Sequence, residues 1–109
     1  MTYNEQLANR LRTRMKSVRG AVEKSMFGGI GFLLNGNMAC GVNKEDLIVR
    51  LSEADSQKAL KRPHVRIFNM SGRPMKGWIM VSDGGYKTDK ELQGWIDMAV
   101  AHAKTLAPK

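Results

Sequence analysis

The chain has one cysteine, Cys40, and two histidines, His64 and His102, in 109 residues. A single thiol excludes an intramolecular disulfide, and so small a set with no paired spacing makes no transition-metal site. No apolar run approaches the roughly 18 to 20 residues needed to span a bilayer. Asn4 and Glu5 stand where a secretory signal would place its apolar core. With eight methionines as well, these features lead us to expect a cytoplasmic protein with no membrane contact. Acidic residues are also scarce in one place: none occurs between Asp55 and Asp83.

The composition is 42% hydrophobic and 26% charged, ordinary globular usage, and the length suits one domain spanning residues 1–109 that needs neither disulfide nor metal to build its core. The formal net charge is +8, which suits a polyanionic partner and serves solubility equally well.

Thr2 and Glu5 have capping-box spacing, and Leu7, Leu11, Met15 and Val18 then recur at helical steps, predicting an amphipathic first helix that stops near Gly20. From Met26 the period becomes alternating. Ile30, Phe32 and Leu34 share one face of a strand, and Met38, Cys40 and Val42 share a face of the next, joined by Asn35-Gly36-Asn37. A three-residue loop, which sets Gly31 opposite Gly41, is preferred over a two-residue one. Leu47 to Leu51 completes a three-stranded meander.

Ser52, with Asp55 at N3, caps a short middle helix whose inner face is Ala54, Ala59 and Leu60 and which Pro63 ends. Val65 to Phe68 and Trp78 to Val81 are further strands, and Asp83-Gly84-Gly85 reads as a turn. Thr88 and Glu91 form a capping box for a final helix, in which Leu92, Trp95, Ile96, Ala99, Val100, Ala103 and Leu106 share one broad arc. The predicted fold class is α+β: an N-terminal helix, an antiparallel sheet built around the meander, a short middle helix and a C-terminal helix packed on the sheet.

Catalytic motifs are weak. The stretch Met26-Phe27-Gly28-Gly29-Ile30-Gly31 is glycine-rich, but it lacks the Gly-Lys-Ser/Thr ending of a phosphate loop and leads into a strand where a dinucleotide fold needs a helix. Its glycines read better as allowing a bulge or close packing under the first helix. Cys40 reads as a small buried hydrophobe; the alternative is a small-molecule or enzymatic site near Cys40 and the glycine-rich strand. His102, near the end of the last helix, is structural, at a place where the helix dipole favours an imidazolium. Glu5, Asp55 and Glu91 sit at capping positions, and Asp46 and Asp83 in turns, so general acid–base chemistry is not indicated.

The acid-free segment is the most informative stretch. Lys58, Lys61, Arg62, Arg66, Arg73 and Lys76 fall there beside Phe68 and Trp78, the interleaving a phosphate-tracking, base-stacking surface requires, although strand aromatics are more often core. Arg62, Arg66, Arg73 and Lys76 are the candidate contacts for nucleic acid or a protein partner. On the first helix, Arg10 and Arg14 flank the apolar stripe on one side and Arg12, Lys16 and Arg19 on the other, so no single recognition face emerges. An exposed sheet edge or unburied methionines would suit a homodimer.

Six segments in order resemble a known family across nearly the whole chain: Met26-Phe27-Gly28-Gly29; the Asn-Gly hairpin leading to Met38-Ala39-Cys40-Gly41-Val42; Leu47 to Leu51; Pro63-His64-Val65-Arg66; Gly72-Arg73-Pro74-Met75-Lys76-Gly77-Trp78; and the closing helix with Leu92 and Trp95. Together they resemble the N-terminal domain of the TfoX/Sxy family. The resemblance implies an antiparallel sheet backed by helices, no cofactor, no catalytic activity, and a role in regulating bacterial competence for DNA transformation, with nucleic acid or a transcription-related protein as partner. Because the chain ends at Lys109, soon after the last helix, the second domain of the full-length regulators is expected to be absent. No functional residues are carried over from the family.

Overall fold

The computed structural model describes residues 3–26, 28–70 and 73–108. Helix α1 spans Glu5–Met15. Asn4 caps it, its side chain accepting the Leu7 N–H at 3.0 Å. Thr2, the expected cap, lies outside the described residues. Leu7, Leu11 and Met15 are buried as their spacing requires, but the helix ends before Val18, which joins a following turn through a hydrogen bond to the Met15 carbonyl.

The chain then forms a strand that its sequence does not announce, β1 (Ala21–Met26). Val22, Glu23, Lys24 and Ser25 are exposed, so no buried face imposes an alternation on the residues. Its pairing partner is β2 (Gly29–Leu34), which is followed by β3 (Asn37–Asn43) and β4 (Asp46–Arg50), making the meander four strands long. The β2–β3 loop has two residues, not three. Leu34 pairs with Asn37, while Asn35 and Gly36 both take positive φ (54° and 84°), the conformation of a type I′ turn. Gly31 does face Gly41, because the extra residue is absorbed by a bulge at Ala39, between the Leu33–Met38 and Phe32–Cys40 pairs. That bulge changes the side-chain parity, so Met38 points away from the face that carries Cys40 and Val42.

Helix α2 (Glu53–Ala59) is capped as expected, the Ser52 hydroxyl accepting the Asp55 N–H at 3.1 Å. Its inner face is Ser56, Ala59 and part of Leu60, whereas Ala54 is exposed. Strands β5 (Val65–Met70) and β6 (Arg73–Val81) are longer than the sequence suggests, and β6 inserts between β4 and β5. Among the described residues one antiparallel sheet has the order β1-β2-β3-β4-β6-β5. A short helix, α3 (Asp83–Tyr86), replaces the expected turn. Helix α4 (Asp89–Thr105) opens with a complete capping box, in which the Thr88 hydroxyl accepts the Glu91 N–H and the Glu91 carboxylate accepts the Thr88 N–H.

The helices and one sheet face share the main core. Leu7 and Leu11 of α1, Ala59 of α2, Tyr86 of α3 and Leu92, Trp95 and Ile96 of α4 pack against Phe32, Cys40, Val49 and Ile79. Polar ties reinforce the layer. The Tyr86 hydroxyl donates to the Glu45 carbonyl at 2.8 Å, Arg10 donates to the carbonyls of Tyr86 and Lys87, and the buried Asn37 amide donates to Ala107 beyond the end of α4.

Candidate functional site: the helix-free face of the sheet

Directly opposite residues in an antiparallel ladder project to the same side, so the register defines each face row by row. One row runs Glu23, Phe32, Cys40, Val49, Ile79, Ile67, and its members from Phe32 to Ile79 lie under the helices while Ile67 is exposed. The adjacent row runs Lys24, Gly31, Gly41, Ile48, Met80, Arg66 and projects to the other side.

That second side carries a small apolar cluster of its own. Met38, Ile48 and Phe68 are buried there, with Met26, Trp78 and Met80 partly buried against them. All six are strand residues, so the cluster is covered by its own long side chains and by no described helix. The two paired glycines make room for this. A Cβ at Gly31 would strike the Met26 thioether, and one at Gly41 would lie 2.9 Å from the terminal methyl of Met38. The glycines therefore leave room in the sheet surface that flexible methionine side chains fill, and such side chains adapt readily to what they touch. Gly31 thus serves close packing on the face opposite the first helix, not beneath it, and Gly29 serves close approach to the β3 backbone at Val42; Phe27 lies outside the described residues.

Cations frame the cluster. Lys24 stands at the β1 edge and Arg66 at the β5 edge. The Arg50 guanidinium lies 5.4 Å from the Trp78 ring centroid, and Phe68 approaches the same indole at 6.0 Å. Arg66 donates to the Asp46 carboxylate at 2.7 Å.

Of the four predicted contacts, Arg66 lies on this face. Lys76 is exposed on β6, two residues before Trp78, and Arg73 opens β6 opposite Met70, its side chain lying outside the described residues. Arg62 is elsewhere: its guanidinium sits 4.2 Å above the ring of Trp95, in the helix layer. Sequence reasoning missed Lys24 and Arg50. Lys24 belongs to the unannounced strand, and Arg50 follows a continuous apolar run whose parity only the ladder reveals.

On the helix side, Arg12 pairs with Glu23 through two hydrogen bonds of 2.8 and 2.9 Å, which hold the carboxyl below its ordinary range. His102 departs from expectation. Burial, and then the charge of Arg50, lower its pKa, the opposite direction to the imidazolium expected at a helix end. Cys40 is fully buried, and burial pushes its thiol up to about 12. We expect Cys40 to resist iodoacetamide in the folded protein at mildly alkaline pH and to react fully once denaturant is added. Rapid alkylation of the native protein would instead reopen a reactive-thiol site.

Among the described residues no group of three or more His, Cys, Asp or Glu is arranged to hold a metal ion, and no helix is long and apolar enough to cross a membrane. Residues 13–103 match the TfoX N-terminal domain. No curated protein matches the chain.

Proposed function

We propose that this chain, which belongs to the TfoX N-terminal domain family, is a non-enzymatic regulatory or adaptor domain that acts in the cytoplasm through the helix-free face of its sheet. Its partner is nucleic acid or a transcription-related protein, and its task, by family, is regulation of competence for DNA transformation.

The asymmetry of the sheet carries this reading. One face is spent on the core, whereas the other holds a self-covered apolar cluster framed by Lys24, Arg50 and Arg66. Cations grouped around a methionine-rich apolar cluster suit a surface that meets a partner. The Cys40 thiol, buried within the main core, supports contact over chemistry.

The test is genetic. A host strain lacking the gene is complemented with wild type, with a Lys24→Glu/Arg66→Glu double variant, or with Lys16→Glu, which alters an exposed charge just past α1; thermal melting confirms that each is folded. Wild type and Lys16→Glu should restore the transcript profile, and the double variant should not. Full restoration by a folded double variant would refute the face as the working surface.

A further inference from the structure

Resting on that reading, we infer that the occupant of the helix-free face is single-stranded DNA, laid across the sheet along the row from Lys24 to Arg66. The row is roughly 24 Å long, six strands at about 4.8 Å spacing, with a cation at each end and Gly31, Gly41, Ile48 and Met80 between. Phosphates meet the cations at the rims, and bases lie over the thioether and apolar floor, which presents contact area with no sequence-specific hydrogen-bonding groups.

Three features select this occupant. Charge is the first. The chain carries +8, and the one carboxylate the ladder places among these cations, Asp46, is already taken by Arg66. The second is the aromatic pair. Trp78 is only partly buried, with Phe68 at 6.0 Å and the Arg50 guanidinium at 5.4 Å, so it offers an unpaired base a stacking surface beside a cation. The third is the chemistry of the floor. Glycine, isoleucine and methionine offer nothing to an RNA 2′-hydroxyl, which would lose its water without replacement, whereas deoxyribose makes no such demand. A duplex keeps its base faces in its own stack, so only a single strand can offer them to Trp78.

The Asp46–Arg66 pair supplies a discriminating variant. Asp46 competes with phosphate for the Arg66 guanidinium, so Asp46→Asn should strengthen binding several-fold, whereas a purely structural ion pair would weaken it or leave it unchanged.

Fluorescence anisotropy of the full chain with a short labelled DNA strand, its duplex and the RNA of the same sequence, across a salt series, decides the matter. The single strand should bind more tightly than duplex or RNA. The slope of log affinity against log salt should be about −2 for contacts from Lys24, Arg50 and Arg66, and Lys24→Gln or Arg66→Gln should each reduce it by about 0.7. Equal affinity for duplex or RNA, slopes insensitive to both variants, or no gain from Asp46→Asn would overturn the inference. If DNA fails to bind while the complementation test still depends on Lys24 and Arg66, the occupant is a protein and the functional reading stands. If both fail, the face is not a binding surface.

Discussion

Replacing Trp95 with alanine should cost about 3–5 kcal/mol, the range for deleting a large buried aromatic. The indole is 1% exposed at the centre of the layer between α4 and the sheet. Its ring fills the core, its Nε1–H donates to the Gly85 carbonyl at 2.9 Å and so ties α4 to α3, and its face supports the Arg62 guanidinium at 4.2 Å. Truncation leaves a cavity, strands a buried carbonyl and releases the cation, and these losses act in one direction. Domains of this size have about 5–15 kcal/mol of stability in all, so the variant should be marginal or unfolded. Trp95→Phe separates the contributions, since it keeps most of the packing and loses the N–H, and should cost about 1–3 kcal/mol. Urea denaturation followed by circular dichroism measures both. A Trp95→Ala midpoint close to wild type would mean that α4 docks without the indole.

A comparable effect is expected from a single methyl group at Gly29. In β2 this residue is buried opposite Met26, and a Cβ there would run into the carbonyl oxygen of Val42. That oxygen belongs to the backbone of β3, held between two strands, and cannot swing aside as a side-chain tip can. Gly29→Ala should therefore separate β2 from β3 locally, at about 3 kcal/mol, the upper end of ordinary overpacking costs. Gly94→Ala is the matched control. It lies in α4 with open space around the added methyl, where alanine should stabilise by up to about 1 kcal/mol. Opposite signs in the two denaturation midpoints are the expected outcome. Tolerance of Gly29→Ala would show that the strands at this end of the sheet give way freely.

The candidate face was legible only in part, for a specific reason at each residue. Arg66, Lys76, Phe68 and Trp78 stood out because a run without acids draws attention to its cations and rings. Lys24 did not, since an edge strand with four consecutive exposed residues has no inward face to impose an apolar period. Arg62 and Arg66 look equivalent along the chain, yet one folds over Trp95 and the other onto Asp46. Met38 was assigned to the face of Cys40 and Val42 because alternation assumes an unbroken ladder, and the bulge at Ala39 breaks it.

By itself the sequence determined the features written within a few residues: the apolar stripe of Leu7, Leu11 and Met15, the caps at Ser52 and Thr88, a hairpin turning at Asn35-Gly36 though not its loop length, the α+β class, and the family the chain belongs to. These rest on contacts between near neighbours, in which helical period, hydrogen bonding at helix ends and positive φ act directly on residue choice. Tertiary structure decided that β6 enters between β4 and β5, that β1 joins the sheet, that all the described helices bury into one core, and that Lys24 and Arg66 end the same row. Those outcomes depend on which distant strands share a ladder and in which register, and a shift of one residue would have turned each of these side chains to the other face of the sheet.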